Sequence, residues 1–179
     1  MITEAVGHLV AENTHFLAQL KAALSRIPPE TYRRNDGPFA RGGIGKHVRH
    51  VLEFYRAVLS PPPLDYDARP RDQRIETDPA AADAAIGEIT SELTALADTR
   101  RASADGTAEP LAVACPAGGG EATTCASSLE RELLFLSSHT VHHFAIVALI
   151  MQHYEVAVDP DFGVAPSTLE YERSLRNGS

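Results

Sequence analysis

Between Ser127 and His153 the chain reads SSLERELLFLSSHTVHHFAIVALIMQH, a stretch without Gly or Pro whose apolar positions recur with a helical period. At about 100° per residue, Leu136, His139, His143, Ile146, Val147 and Ile150 share one face. Two histidines therefore stand one turn apart inside an apolar stripe. The same period predicts a helix over 2–27, where Ile2, Val6, Leu9, Phe16, Leu20, Leu24 and Ile27 line up and Pro28-Pro29 stops it. Asn13 falls inside that stripe and needs a partner if it is buried. His8 and His15 fall to its side and are expected at the surface.

A second helix is expected over 44–59 (IGKHVRHVLEFYRAVL), with His47, Phe54, Ala57 and Val58 on the face of His50 and Val48, Arg49 and Leu52 elsewhere. A third is expected over 79–99, opened by Asp78 as N-cap and Pro79 at the first helical position. Its thin face of Ala82, Ile86, Ile89, Leu93 and Leu96 suits a covering helix. Ser127, with Glu130 three residues on, fits a capping box for the fourth helix, 127–153.

The remaining segments carry turn signals. Residues 28–43 and 60–78 are rich in Pro and charge and read as surface loops. PLAVAC and EATTC flank PAGGG within 102–126, the pattern of a short hairpin. The tail after His153 carries Pro, Gly and Asp and is expected to pack back as extended chain that frays at its end. The expected architecture is all-α: one domain over 1–179, a four-helix bundle with long connections and a short hairpin between its third and fourth helices.

Composition narrows the function classes. The 179 residues carry a net charge of −8, and the chain has only Lys21 and Lys46 as lysines, so no basic patch for nucleic acid is expected. No uninterrupted apolar run approaches the roughly 20 residues that span a bilayer, because histidines break the helix near residue 140. The N-terminal residues lack the features of a signal peptide. Cys115 and Cys125 are expected as free thiols in a reducing compartment, and the protein as cytoplasmic.

The candidate chemistry is a metal site. His50 meets His139 and His143 if the second and fourth helices are neighbours. Three neutral imidazoles suit a divalent metal (Zn²⁺, Ni²⁺, Fe²⁺ or Cu²⁺) and leave positions open for water or substrate. His142 competes with His143 as ligand, but His143 lies nearer the stripe centre. His47 is expected to line the same cavity. Glu53, one turn beyond His50, either orients an imidazole or is a solvated helix acid. Glu132 lies two turns before His139, too far along the axis to join a first ring of ligands, and an acid buried there requires an Arg or a hydrogen bond.

GGIGKHVRHVLEFY followed by SSHTVHHFAIVALIMQ resembles the DinB-like (damage-inducible) superfamily of four-helix metalloproteins. The family's small residue, Ile and following histidine fall on Gly43, Ile44 and His50, and its HxxHH pattern falls on His139, His142 and His143. The segment DFGVAPST resembles one branch of that superfamily whose chemistry is uncharacterised. The resemblance implies a metal bound by a histidine of the second helix and an HxxxH pair of the last. Related thiol S-transferases imply thiol-activating or hydrolytic chemistry, with a low-molecular-weight thiol as cosubstrate and a homodimer as the assembly. Ala145 stands where ergothioneine-synthesising relatives carry Glu, which argues against their oxidative chemistry.

Two function classes follow. In the first, an enzyme, the metal at His50, His139 and His143 activates a thiol or water toward a small-molecule substrate, with His47, Asn13 or Glu53 steering protons. In the second, the metal stabilises a stress-associated bundle without catalysis. Leu134, Val141, Leu149 and Met151 lie off the histidine stripe and make the last helix apolar almost all round, the pattern of a covered or dimeric surface.

Overall fold

The computed structural model describes residues 2–102, 110–115 and 123–177. The chain is mostly helical, with one small antiparallel sheet. Its long helices are α1 (Ile2–Leu24), α3 (Ile44–Leu59), α5 (Pro79–Ala102) and α6 (Leu129–His153). Shorter ones are α2 (Pro29–Tyr32), α4 (Gln73–Thr77) and α7 (Pro166–Asn177), with β1 (Leu111–Cys115) and β2 (Thr123–Ser127) between α5 and α6. The four long helices close a circuit, in which α1 and α3 each pack against both α5 and α6.

Local chemistry explains most boundaries. The last turn before Pro28 tightens to i→i+3 bonds at Arg26 and Ile27, so α1 ends three residues before its expected stop while Ile27 stays buried. Asp78 accepts from the Ala80 N–H at 3.0 Å and Pro79 opens α5, as expected. The cap of α6 is Ser128 rather than Ser127: its Oγ accepts from Arg131 N–H at 3.3 Å. Ser127 is the last residue of β2, paired with Leu111, and its hydroxyl donates to Glu132 instead. Gly45 on α3 is required for close approach, since a Cβ there would collide with the Glu76 carbonyl of α4.

The core is fed by Phe16, Leu17 and Leu20 of α1, Leu52 and Tyr55 of α3, Ile89 and Leu93 of α5, and Leu136, Phe144 and Val147 of α6. On α6 the buried face is centred near Thr140, with Leu133, Leu136, Phe144, Val147 and Met151 around it. His139 and His143 therefore lie on its flank, half-buried, and not at the centre of the apolar stripe. On α3 the correction is parallel: Val48, Val51, Leu52 and Tyr55 fill the core, and His47 and His50 are half-buried beside them.

The expected hairpin exists as strands in register from Leu111↔Ser127 to Cys115↔Thr123; its PAGGG turn lies outside the described residues. Leu64 of the 60–78 connection bonds to β1 through Leu64 N–H to Ala112 O at 2.9 Å and Ala114 N–H to Leu64 O at 2.7 Å. That connection also contains α4, which its charge density had concealed. The tail does pack back, through Phe162 stacked on Phe144 at 4.6 Å. It does not remain extended, because Pro166 opens α7.

By length and composition α6 is apolar enough to cross a membrane, contrary to the reading that its histidines interrupt it. A few imidazoles are diluted over its 25 residues. Part of that apolarity faces α1 and α3. Leu134 and Leu149, 56% and 61% exposed, face outward, while Met151 is buried.

Candidate metal centre

The cluster forms where the flank of α3 faces the flank of α6. His50, His139 and His143 each offer one ring nitrogen, and these three atoms lie within 4.8 Å of one another. His50 Nε2 faces His139 Nε2 at 3.2 Å. Two nitrogens held tetrahedrally on one zinc at about 2.0–2.1 Å are separated by roughly 3.4 Å, so this pair already has the spacing of ligands. Ring centroids of 4.5 Å for His139–His143 and 4.6 Å for His50–His143 complete the triangle. All three are half-buried. The donor set is neutral nitrogen, with no carboxylate or thiolate of the described residues in the group.

Electrostatics keeps these imidazoles uncharged. Burial, then the neighbouring His139 and the Arg69 guanidinium, lower His50 to about 4. Burial, then His142 and Arg69, lower His139 to about 4. Burial, then His139 and His50, lower His143 to about 3. A proton on any one is opposed by its neighbours, so at neutral pH the ring lone pairs are available to a cation.

His47, one turn before His50, joins this cluster at its edge. Its Nδ1 lies 2.9 Å from His143 Nδ1, and burial lowers its pKa. Gly42 leaves room for the ring: a Cβ there would sit 3.1 Å from His47 Nε2. His142 is exposed, with its ring 5.1 Å from that of His143, and stands outside the three-nitrogen group.

The other two candidates are occupied elsewhere. Asn13 is fully buried, donates to Leu9 O at 2.8 Å and Leu133 O at 3.1 Å, and accepts from Tyr55 at 2.8 Å. It braces α1, α3 and α6 through the core. Glu53 is 1% exposed and is not a solvated acid. Its Oε1 accepts from Asp72 N–H at 2.7 Å, and its Oε2 lies 3.5 Å from Arg49 Nη1 and 3.7 Å from Arg69 Nε. These bonds fasten the 60–78 connection to α3 rather than orienting an imidazole.

Sequence periodicity does not reveal what that connection brings. Tyr66 stacks on Phe54 at 4.7 Å, and Phe54 stacks on His139 at 4.0 Å with 17° between the planes. The Arg69 guanidinium also lies over the Phe54 ring, 4.5 Å from its centroid. Tyr66 donates to Glu132 at 2.6 Å, so the buried Glu132 holds this aromatic wall in place. Arg131 and Ser127 supply further donors to the same carboxylate. His139 Nδ1 is buried without a hydrogen-bond partner, so its ring is oriented by stacking on Phe54 and by the tilted ring of Phe135 beside it.

No family model matches the chain, and no solved structure matches it. Similarity is found to FK506-binding protein 5 of Rhizopus delemar, 32% identical over 108 residues, which are 60% of this chain and 27% of that protein. The chain thus spans little more than a quarter of the relative's length.

Proposed function

We propose that this chain is a DinB-like four-helix-bundle metalloprotein that binds one divalent cation through His50, His139 and His143 and uses it for thiol- or water-activating chemistry. The observation that carries the reading is the convergence of three neutral imidazole nitrogens within 4.8 Å, one from α3 and two from α6, with His50 and His139 separated by 89 positions in sequence. A bound divalent cation would lower the pKa of a water or low-molecular-weight thiol toward neutrality, generating a nucleophile.

The chain's own residues supply the rest. His47 holds the Nδ1 edge of His143, so that a hydrogen shared there leaves the other ring nitrogen of His143 for the cation. Phe54 and Tyr66 wall the site and exclude water from one side. Arg69, stacked on Phe54, adds positive charge that favours an anionic substrate group. The site lies on the flank of a core already filled by apolar side chains, which supports an open, reactive centre over a purely structural metal. Leu134 and Leu149, exposed on α6, support a homodimer that covers them.

The test is elemental analysis of protein purified without a metal-affinity tag, paired with a screen for transfer of low-molecular-weight thiols to electrophiles. Metal bound at a fixed ratio together with thiol consumption supports the reading. Metal bound with neither thiol-transfer nor hydrolytic turnover favours the non-catalytic bundle.

A further inference from the structure

The hairpin carries a pair of thiols that the metal site does not use. In its register Cys115 lies opposite Thr123 and Cys125 opposite Val113, so the two cysteines are diagonal neighbours on the same face of the ladder. Both are free, and their sulfur atoms are 2.8 Å apart. Closing that gap to the roughly 2.05 Å of a disulfide takes less than about 1 Å of approach.

The partners are not equivalent. Cys125 is exposed, whereas Cys115 is half-buried. The Cys115 S–H donates to Cys125 Sγ. That hydrogen bond, then burial, pushes the Cys115 thiol up. A sulfur that accepts a hydrogen bond and faces solvent is the better placed to attack an incoming disulfide, and its neighbour the better placed to attack second.

We propose that Cys125 is a site of S-thiolation by low-molecular-weight disulfides and that Cys115 resolves the adduct into a Cys115–Cys125 cross-link. In the first step the Cys125 thiolate attacks one sulfur of RS–SR, forms a mixed disulfide and expels RS⁻. In the second, the Cys115 thiolate attacks Cys125 Sγ, forms the intramolecular disulfide and expels the second RS⁻. Two protein thiols are oxidised and one external disulfide is reduced to two thiols, the two RS⁻ leaving groups taking up the two protons that the protein thiols lose. The cross-link closes on the strand that Leu64 bonds to, two residues before Tyr66 of the aromatic wall.

The test uses the full chain, fully reduced and then exposed to excess glutathione disulfide at mildly alkaline pH under anaerobic conditions, and read by intact mass and peptide mapping. Wild type is expected to lose both free thiols, retain no glutathione and yield a peptide joining Cys115 to Cys125. Cys115→Ser is expected to stop with one glutathione on Cys125. Cys125→Ser is expected to react roughly tenfold more slowly, since the half-buried thiol is left to attack first. Two free thiols persisting in wild type, a stable glutathione adduct on wild-type Cys125, or a Cys125→Ser variant as fast as wild type would each overturn the proposal.

Discussion

Phe54 and His139 lie ring on ring across the α3–α6 interface, 4.0 Å between centroids and 17° from parallel. Because His139 Nδ1 has no hydrogen-bond partner, this stack does the work that a carboxylate or carbonyl does for many metal-ligating histidines. Replacing Phe54 with Leu keeps an apolar side chain but removes the stack. The expected result is a modest loss of thermal stability and metal affinity weakened by about 10-fold, within the range for groups that orient a ligand. Competition against a chelating dye measures it, and unchanged affinity would show that His139 is oriented by other means.

Asn13 provides the opposite case. Its amide is consumed by Leu9, Leu133 and Tyr55, the last also 3.1 Å from Thr140 Oγ1. Asn13→Ala takes one partner from the buried Tyr55 hydroxyl and one from each of the Leu9 and Leu133 carbonyls, and is expected to cost about 1–3 kcal/mol of unfolding free energy. Metal content should not change. A metal-depleted but fully stable variant would return Asn13 to the site.

Stability should also carry the imprint of the imidazoles. An unfolded histidine titrates near 6.5, whereas His50 and His139 titrate at about 4 and His143 at about 3 in the folded chain. Between these limits the unfolded state binds more protons, so the metal-free protein loses stability as pH falls from about 6.5 to about 3. Urea midpoints in the presence of a chelator, compared between wild type and His143→Gln, isolate the contribution. The variant is expected to show the shallower pH dependence; equal slopes would mean that the histidines are not held neutral by the fold.

Much of this arrangement was legible in the residues, and its limits have physical causes. Pro28-Pro29 and Asp78-Pro79 mark helix boundaries because proline constrains φ and lacks an N–H. The spacing of His139 and His143, and their match to His50, pointed to a shared cluster because one helical turn brings side chains onto one face. That cluster sits on the flank of the buried face and not at its centre. With Leu134, Val141, Ile146 and Leu149 apolar beyond the core face, a wheel cannot tell centre from flank on α6. Nor could periodicity reach Tyr66 and Arg69, which a loop delivers through bonds to Glu132 and Glu53. Each acid also has a local partner, Arg49 for Glu53 and Arg131 for Glu132, but pairs of that kind are common on helix surfaces and do not foretell that the connection will bury them. The Pro, Gly and Asp of the tail read as breaks and hide helix α7, although Pro166 sits at a helix start.

Which imidazoles hold the cation can be read from metal content. Metal content of untagged wild type, His50→Ala, His143→Ala and His142→Ala, purified side by side and measured by mass spectrometry of the elements, tests it directly. Wild type is expected to carry about one divalent ion per chain. His50→Ala and His143→Ala should lose it, and His142→Ala, whose exposed ring stands outside the three-nitrogen group, should keep it. A metal-free wild type that takes up no divalent ion when offered one, or a His142→Ala protein emptied while His143→Ala stays loaded, would contradict the account.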